Sequence, residues 1–243
     1  MERVIAIGDI HGGLKALIQV LNKVELKDED HLIFVGDYVD GWSESAQVIQ
    51  FLIDLSKTIN CIFIKGNHDV WAEEWLRSGE VNPTWYMHGG KETMESYEGF
   101  LEDEKSKHLH FFENMKMYHI DSENRLFLHA GFTSMHGVEK EVFQQTLYFD
   151  RTLWEMALTM DKRLEKHSEL YPKRLKLYHE IYIGHTPTIH FNSDVPIQAM
   201  NVWNIDTGAA FTGKISAMDI DTKAFWQSDD LPILYPNEKG RNK

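Results

Sequence analysis

Five short apolar runs in the chain each end in a residue type that can bind a metal. They read Ile5-Ala6-Ile7-Gly8-Asp9-Ile10-His11, Phe34-Val35-Gly36-Asp37, Phe63-Ile64-Lys65-Gly66-Asn67-His68, Phe127-Leu128-His129 and Tyr182-Ile183-Gly184-His185. Continuous apolar runs of this length suit strands of a sheet that is covered on both faces. In open α/β sheets, ligands bind outside the carboxyl ends of the strands. The five ends therefore bring Asp9, His11, Asp37, Asn67, His129 and His185 to one rim, with His68 beside them. Such a donor set is rich enough for two divalent cations, and a two-metal rim suits the hydrolysis of phosphate esters.

The rest of the composition narrows the function. With 243 residues, 42% hydrophobic and 26% charged, the chain can bury a sizeable core. It reads as one domain over 1–243, with helical insertions at about 70–120 and 138–180 and a frayed tail at 236–243. The net charge of −13 argues against a nucleic-acid partner, which calls for a basic surface. A small phosphorylated substrate remains open, because bound metals dominate the local field. No stretch is long and apolar enough for a membrane span. Met1-Glu2-Arg3 runs straight into a strand-like segment without a secretory leader. The single cysteine, Cys61, lies in an apolar run and reads as a small buried hydrophobe. Together these features predict a cytoplasmic protein.

The first third alternates strand and helix. Leu14, Leu17, Ile18 and Leu21 fall on one helical face, and Val48, Ile49, Leu52, Ile53 and Leu55 mark a second helix. With strands at Leu32–Val35 and Cys61–Ile64, this is a βαβαβ pattern, so an α/β fold with a parallel sheet is expected. Helices are predicted near 91–98 and 102–114, and across most of 138–180. Further strands are predicted at Leu126–Leu128, Ile181–Ile183, Val202–Ile205, Ile215–Ile220 and Ala224–Trp226.

Each motif alone is weak. Asp9-x-His11 places two ligand types two residues apart on extended chain, where side chains point the same way. An isolated D-x-H could equally be a capped turn. Asp37 can bridge two metals with its two oxygens, and Asp40 can orient a histidine. Gly and Asp also favour plain turns. Asn67 offers a neutral oxygen, or a cap for the helix that follows. His68 is better placed as a general acid than as a ligand. What raises these readings together is that five candidates share the same end of a strand. The remaining histidines, including His108 and His110, carry no ligand pattern.

Asp-x-His-Gly, Gly-Asp-x-x-Asp, Gly-Asn-His, His-Ala-Gly and Gly-His-Thr, in this order, resemble the calcineurin-like metallophosphoesterases. The likeness is strongest to the phosphoprotein phosphatase branch, with its bacterial serine/threonine phosphatases and symmetrical diadenosine tetraphosphatases. Trp85, Gly89-Gly90, Thr93 and Ser96-Tyr97 fit the bacterial members, as does Asp206-Thr207-Gly208-Ala209. The resemblance spans about residues 4–226. It implies a β-sandwich of two mixed sheets flanked by helices. It implies that Asp9, His11 and Asp37 hold one divalent metal and that Asp37, Asn67, His129 and His185 hold a second. Manganese is the first expectation, with iron or zinc as alternatives. It also implies His68 as general acid, Asp40 as its orienting partner and Arg151 as a phosphate-binding arginine.

The sequence departs from the family where Arg-Gly usually follows the second aspartate: Gly41 and Trp42 stand there. Arg151, or an aromatic such as Trp42, is the candidate to reshape the pocket in compensation. Asp69 stands where the family more often has Glu. The expected activity is that of a serine/threonine protein phosphatase-type phosphomonoesterase acting through a metal-bridging hydroxide. The second reading is a symmetrical diadenosine tetraphosphate (dinucleoside polyphosphate) hydrolase. The third is a non-catalytic, metal-bound phosphate-binding module.

Overall fold

A computed structural model describes residues 2–242. Ten strands follow in chain order: β1 (Val4–Ile7), β2 (His31–Phe34), β3 (Asn60–Phe63), β4 (Tyr118–Ile120), β5 (Leu126–Leu128), β6 (Ile181–Ile183), β7 (Ile197–Ala199), β8 (Val202–Asn204), β9 (Ser216–Asp219) and β10 (Phe225–Gln227). They form two five-stranded sheets, in the orders β10-β9-β1-β2-β3 and β4-β5-β6-β8-β7. β1, β2 and β3 pair in parallel, with Ile5 opposite Leu32 and Leu32 opposite Cys61. β5, β6 and β8 are also parallel, while β4, β7, β9 and β10 pair antiparallel, so both sheets are mixed.

Both faces of each sheet are buried, which is why the strands read as unbroken apolar runs. Ala6 and Ile33 of the first sheet meet Phe127 and Tyr182 of the second, forming the layer between sheets. The Phe127 and Tyr182 rings stack there at 4.9 Å. Alternate residues Ile5, Ile7, Leu32 and Phe34 point the other way, against helices α1 (Leu14–Val24) and α2 (Ser45–Leu55). Leu126, Leu128, Ile181 and Ile183 pack on Leu153 and Trp154 of the helix Thr152–Thr159. Truncating a ring such as Phe127 to alanine would cost ~3–5 kcal/mol, from lost apolar burial and the cavity left behind.

The βαβαβ opening is as expected, although α1 buries Ala16, Leu17, Val20, Leu21 and Val24 and leaves Ile18 39% exposed. The 138–180 segment differs. It holds a 3-10 turn at Val138–Lys140 and short helices at Thr146–Phe149, Thr152–Thr159 and Lys173–Lys176, and the rest is turns. Asp161 accepts the Arg163 amide at 2.9 Å, a local bond that competes with helix. Pro172 removes an amide donor and stands at the start of the last short helix. The tail differs too. Over 236–242 it is docked instead of frayed: Glu238 accepts the Ser43 amide and hydroxyl at 3.0 and 2.8 Å, and the Arg241 amide donates to Ala210 O at 2.8 Å. Lys243 lies outside the described residues. Among the described residues, no helix is long and apolar enough to cross a membrane.

Candidate metal centre

The loops that leave β1, β2, β3, β5 and β6 meet at one place. The Ile10 and His11 amides both donate to Asp37 O at 3.0 Å, tying the first two loops together. His11, Asp37, Asp40 and His185 all have left-handed backbone, with φ of 52°, 54°, 75° and 67°. Such φ values are uncommon for non-glycine residues and cluster at functional sites. The buried Asp69 carboxylate holds the turn by accepting the amides of Asp37 (2.8 Å), Tyr38 (2.9 Å) and Gly66 (2.7 Å). Residue 66 has to be glycine, because a Cβ there would collide with Asp37 Oδ1. Helix α3 (Asn67–Ser78) starts at this point and carries Asn67 and His68 on its first turn.

All six expected ligands come together. His11, Asp37 and His68 place donor atoms within 4.8 Å of one another, and so do Asp37, His129 and His185, with Asp37 common to both groups. Asn67 Oδ1 lies 2.9 Å from His185 Nδ1 and 3.2 Å from His129 Nε2. Asp9 Oδ2 sits 3.9 Å from His11 Nε2 and accepts the His185 amide at 3.1 Å.

The donors are prepared for a cation. His11 Nδ1 faces the carbonyls of Val39 and Asp40 at 3.1 and 3.0 Å, and His129 Nδ1 faces Val35 O at 2.8 Å. Donating there fixes the tautomer and leaves Nε2 with a lone pair. His129 Nε2 then faces Asn67 Oδ1 at 3.2 Å and Asp37 Oδ2 at 3.3 Å. Three lone pairs aimed at one another call for a positive charge between them. The ionisation tendencies vary across the set: burial opposes a charge on His129, but Asp37 holds it above the ordinary imidazole value. Burial, then the neighbouring Asp206 and Asp37, push Asp9 well above the usual carboxylate range. Burial opposes ionisation of Asp37 as well, but His129 at 3.3 Å holds it well below that range. Burial lowers His11 and His185, keeping them unprotonated and able to ligate. The donor set fits divalent cations held by mixed nitrogen and oxygen ligands.

His68 is anchored separately. Its Nδ1 lies 2.6 Å from Asp40 Oδ2, and both side chains are buried. Asp40 also accepts the Trp85 indole N–H at 2.7 Å and the Thr93 hydroxyl at 2.6 Å. Burial pushes Asp40 up to about 8 against those two hydrogen bonds, and burial pushes His68 down to about 3. With Nδ1 engaged by Asp40, Nε2 is the ring nitrogen left for the pocket. Trp85 and Thr93 come from the segment over 83–96, whose local fold seals Asp40 from water. These two residues were visible as part of the family pattern, but their attachment to Asp40 was not.

A pocket of about 80 Å³ opens over the donors and is lined by His11, Asp37, Asn67, His68, Arg151, His185, His190, Asp206, Phe211 and Arg241, among others. Arg151 is among its lining residues. Trp42 is not: it is wholly buried, donates to Ala209 O at 2.7 Å and stacks on Tyr235 at 5.2 Å. Its indole is core, placed there by apolar burial. Asp206 and Arg241 were not foreseen as pocket residues. Asp206 lay within a quoted motif, whereas nothing local marks Arg241. Aromatic rings border the site: Trp71 lies 5.2 Å from His68 and 5.9 Å from Phe149, which in turn lies 6.4 Å from His185.

Comparison with known proteins agrees with this architecture. The family model for calcineurin-like phosphoesterases matches residues 2–207. The chain is 28% identical over 239 residues to the asymmetrical bis(5'-nucleosyl)-tetraphosphatase PrpE of Oceanobacillus iheyensis, covering 90% of this chain and 89% of that protein. It is 29% identical over 236 residues to the PrpE of Anoxybacillus flavithermus, covering 87% and 88%. In three dimensions it resembles a protein serine/threonine phosphatase from Saccharomyces cerevisiae, with a TM-score of 0.59 at 13% identity over 93% of this chain and 79% of that one. A metallophosphoesterase from Sphaerobacter thermophilus aligns with a TM-score of 0.53 at 15% identity over 94% and 87%.

Proposed function

The chain belongs to the calcineurin-like phosphoesterases and is a phosphoester hydrolase, and from that premise we propose that it cleaves dinucleoside polyphosphates such as diadenosine tetraphosphate. The supporting observation is the similarity, over nearly the whole chain, to proteins named as asymmetrical bis(5'-nucleosyl)-tetraphosphatases. It puts this reading ahead of the protein phosphatase, and it makes ATP and AMP the expected products. The surroundings suit it. Beside the donor pocket is a cavity of about 370 Å³ lined by Met87, His88, Phe211, Arg241 and Asn242, with Phe211 and Arg241 common to both. That volume falls within the ~300–1,000 Å³ of small-ligand pockets, and Phe211 offers a ring face for a base.

In this reading Asp9, His11 and Asp37 hold one divalent ion, and Asp37, Asn67, His129 and His185 the other. The bound ions supply Lewis acidity, which makes water a nucleophile near neutral pH and offsets phosphoryl charge. The side chains do the rest. Val35, Val39 and Asp40 carbonyls keep the imidazoles of His129 and His11 turned inward. Arg151 offers its guanidinium to a phosphate oxygen. His68, steadied by Asp40, delivers the Nε2 proton to the departing oxygen as the phosphorus–oxygen bond breaks.

The experiment is a side-by-side assay of diadenosine tetraphosphate and a phosphoserine peptide with manganese added, with products resolved by chromatography. Fast release of ATP and AMP is expected. Release of two ADP would replace the asymmetrical reading with the symmetrical one. Phosphopeptide turnover exceeding that of the dinucleotide would restore the protein phosphatase.

A further inference from the structure

Position 41 carries no side chain where the family pattern expects an arginine, yet the space beside it is filled. Gly41 has φ +119°, a backbone that suits glycine, and a Cβ built there would lie 3.2 Å from Arg241 Cγ and 3.7 Å from Arg241 Cδ. The Arg241 stem thus passes directly over Gly41. The chain returns to this point because the tail is docked. Tyr235 packs on Trp42, Glu238 accepts both polar groups of Ser43, and the Arg241 amide donates to Ala210 O.

Arg241 lines the donor pocket together with His11, Asp37, His68 and Arg151. It also lines the adjoining cavity, so it stands at the wall between the two. Its guanidinium carbon lies 5.4 Å from the Phe211 ring centre. Its Nε is buried and has no hydrogen-bond partner among the described residues. A buried N–H without an acceptor is costly, and such groups are rarely left so in folded proteins. A phosphate oxygen would satisfy it, and the planar guanidinium fork matches phosphate better than any other side chain does.

We propose that Arg241, carried in by the C-terminal tail, occupies the space left free by Gly41 and binds a phosphate of the substrate. This rests on the hydrolase reading above for its ligand class. In a dinucleoside polyphosphate, the phosphates next to the scissile bond lead from the donor pocket towards the neighbouring cavity, past this guanidinium. Arg151, from the middle of the sequence, and Arg241, from the tail, then grip the polyphosphate together.

The test uses the full-length, manganese-loaded protein with inorganic phosphate as the probe. Arg241→Met keeps the aliphatic stem against Gly41 and Phe211 and removes the fork. Arg241→Lys keeps the charge and loses the fork. Calorimetric titration should show phosphate binding weakened about tenfold in the methionine variant and by a smaller factor in the lysine variant, with metal content unchanged. KM for diadenosine tetraphosphate should rise in the same order. Wild-type phosphate affinity in the methionine variant would overturn the proposal, and should that variant fail to fold, wild-type affinity in the lysine variant would do so. The phosphate titration needs no turnover. Weakened binding in a protein that hydrolyses nothing would therefore leave Arg241 in place and remove the hydrolase reading. Unchanged binding in an active enzyme would do the reverse.

Discussion

His68 and Asp40 share a 2.6 Å hydrogen bond inside the protein, and two further donors, Trp85 and Thr93, hold the same carboxylate. The imidazole can neither rotate nor exchange its partner for water. A proton donor held in this way should matter most when the leaving oxygen is a poor anion.

His68→Asn is therefore expected to lower kcat by ~10²–10⁴-fold, with metal content unchanged. The loss should be larger for an alkyl phosphate than for p-nitrophenyl phosphate, whose leaving group is already stable as an anion. Parallel kcat measurements on the two substrates check this, and equal losses would remove His68 from the proton transfer.

Asp37 belongs to both groups of convergent donors. Asp37→Asn should accordingly lose metal from both positions at once. Elemental analysis of the purified variant decides: retention of one equivalent would mean that the carboxylate is not shared.

Trp85→Phe keeps most of the ring volume and deletes the indole N–H that Asp40 accepts. Leaving a buried carboxylate one donor short costs ~1–3 kcal/mol. A lowered melting temperature with a modest fall in kcat is the expected pair of effects, read by calorimetry and a turnover assay.

Asp30 is buried and hydrogen-bonded to Arg3 at 3.0 Å. That bond, against the opposing effect of burial, holds its carboxyl below the ordinary carboxylate value. A depressed value means stability that is complete above the unfolded-state pKa of ~3.9 and is lost as pH falls through the lower folded value. Arg3→Met should flatten the decline in melting temperature between about pH 5 and pH 2. An unchanged slope would show that the pair contributes nothing.

The strand ends were legible because their signal is local. Each apolar run and its terminal donor residue lie within seven consecutive residues, so the convergence of Asp9, His11, Asp37, Asn67, His129 and His185 could be expected without knowing the fold. The parallel opening sheet followed from the same runs. Weaker elements escaped. Strand β4 (Tyr-His-Ile) and β7 (Ile-Gln-Ala) are short and partly polar, and β7 lies at a sheet edge. The polar mixture of Lys, Arg and Glu over 138–180 suggested helix, but Asp161 and Pro172 favour turns there. Trp42 was drawn into the site by its position after Asp40, whereas burial put it in the core. Arg241 was illegible for the opposite reason. It lies in a polar stretch that resembles any loose end, and only the folded chain sets it beside Gly41.

The docked tail has a practical corollary. Deleting residues 236–242 would take Glu238 away from Ser43 and Arg241 away from the wall of the pocket, so a shortened version would lose more than a loose end.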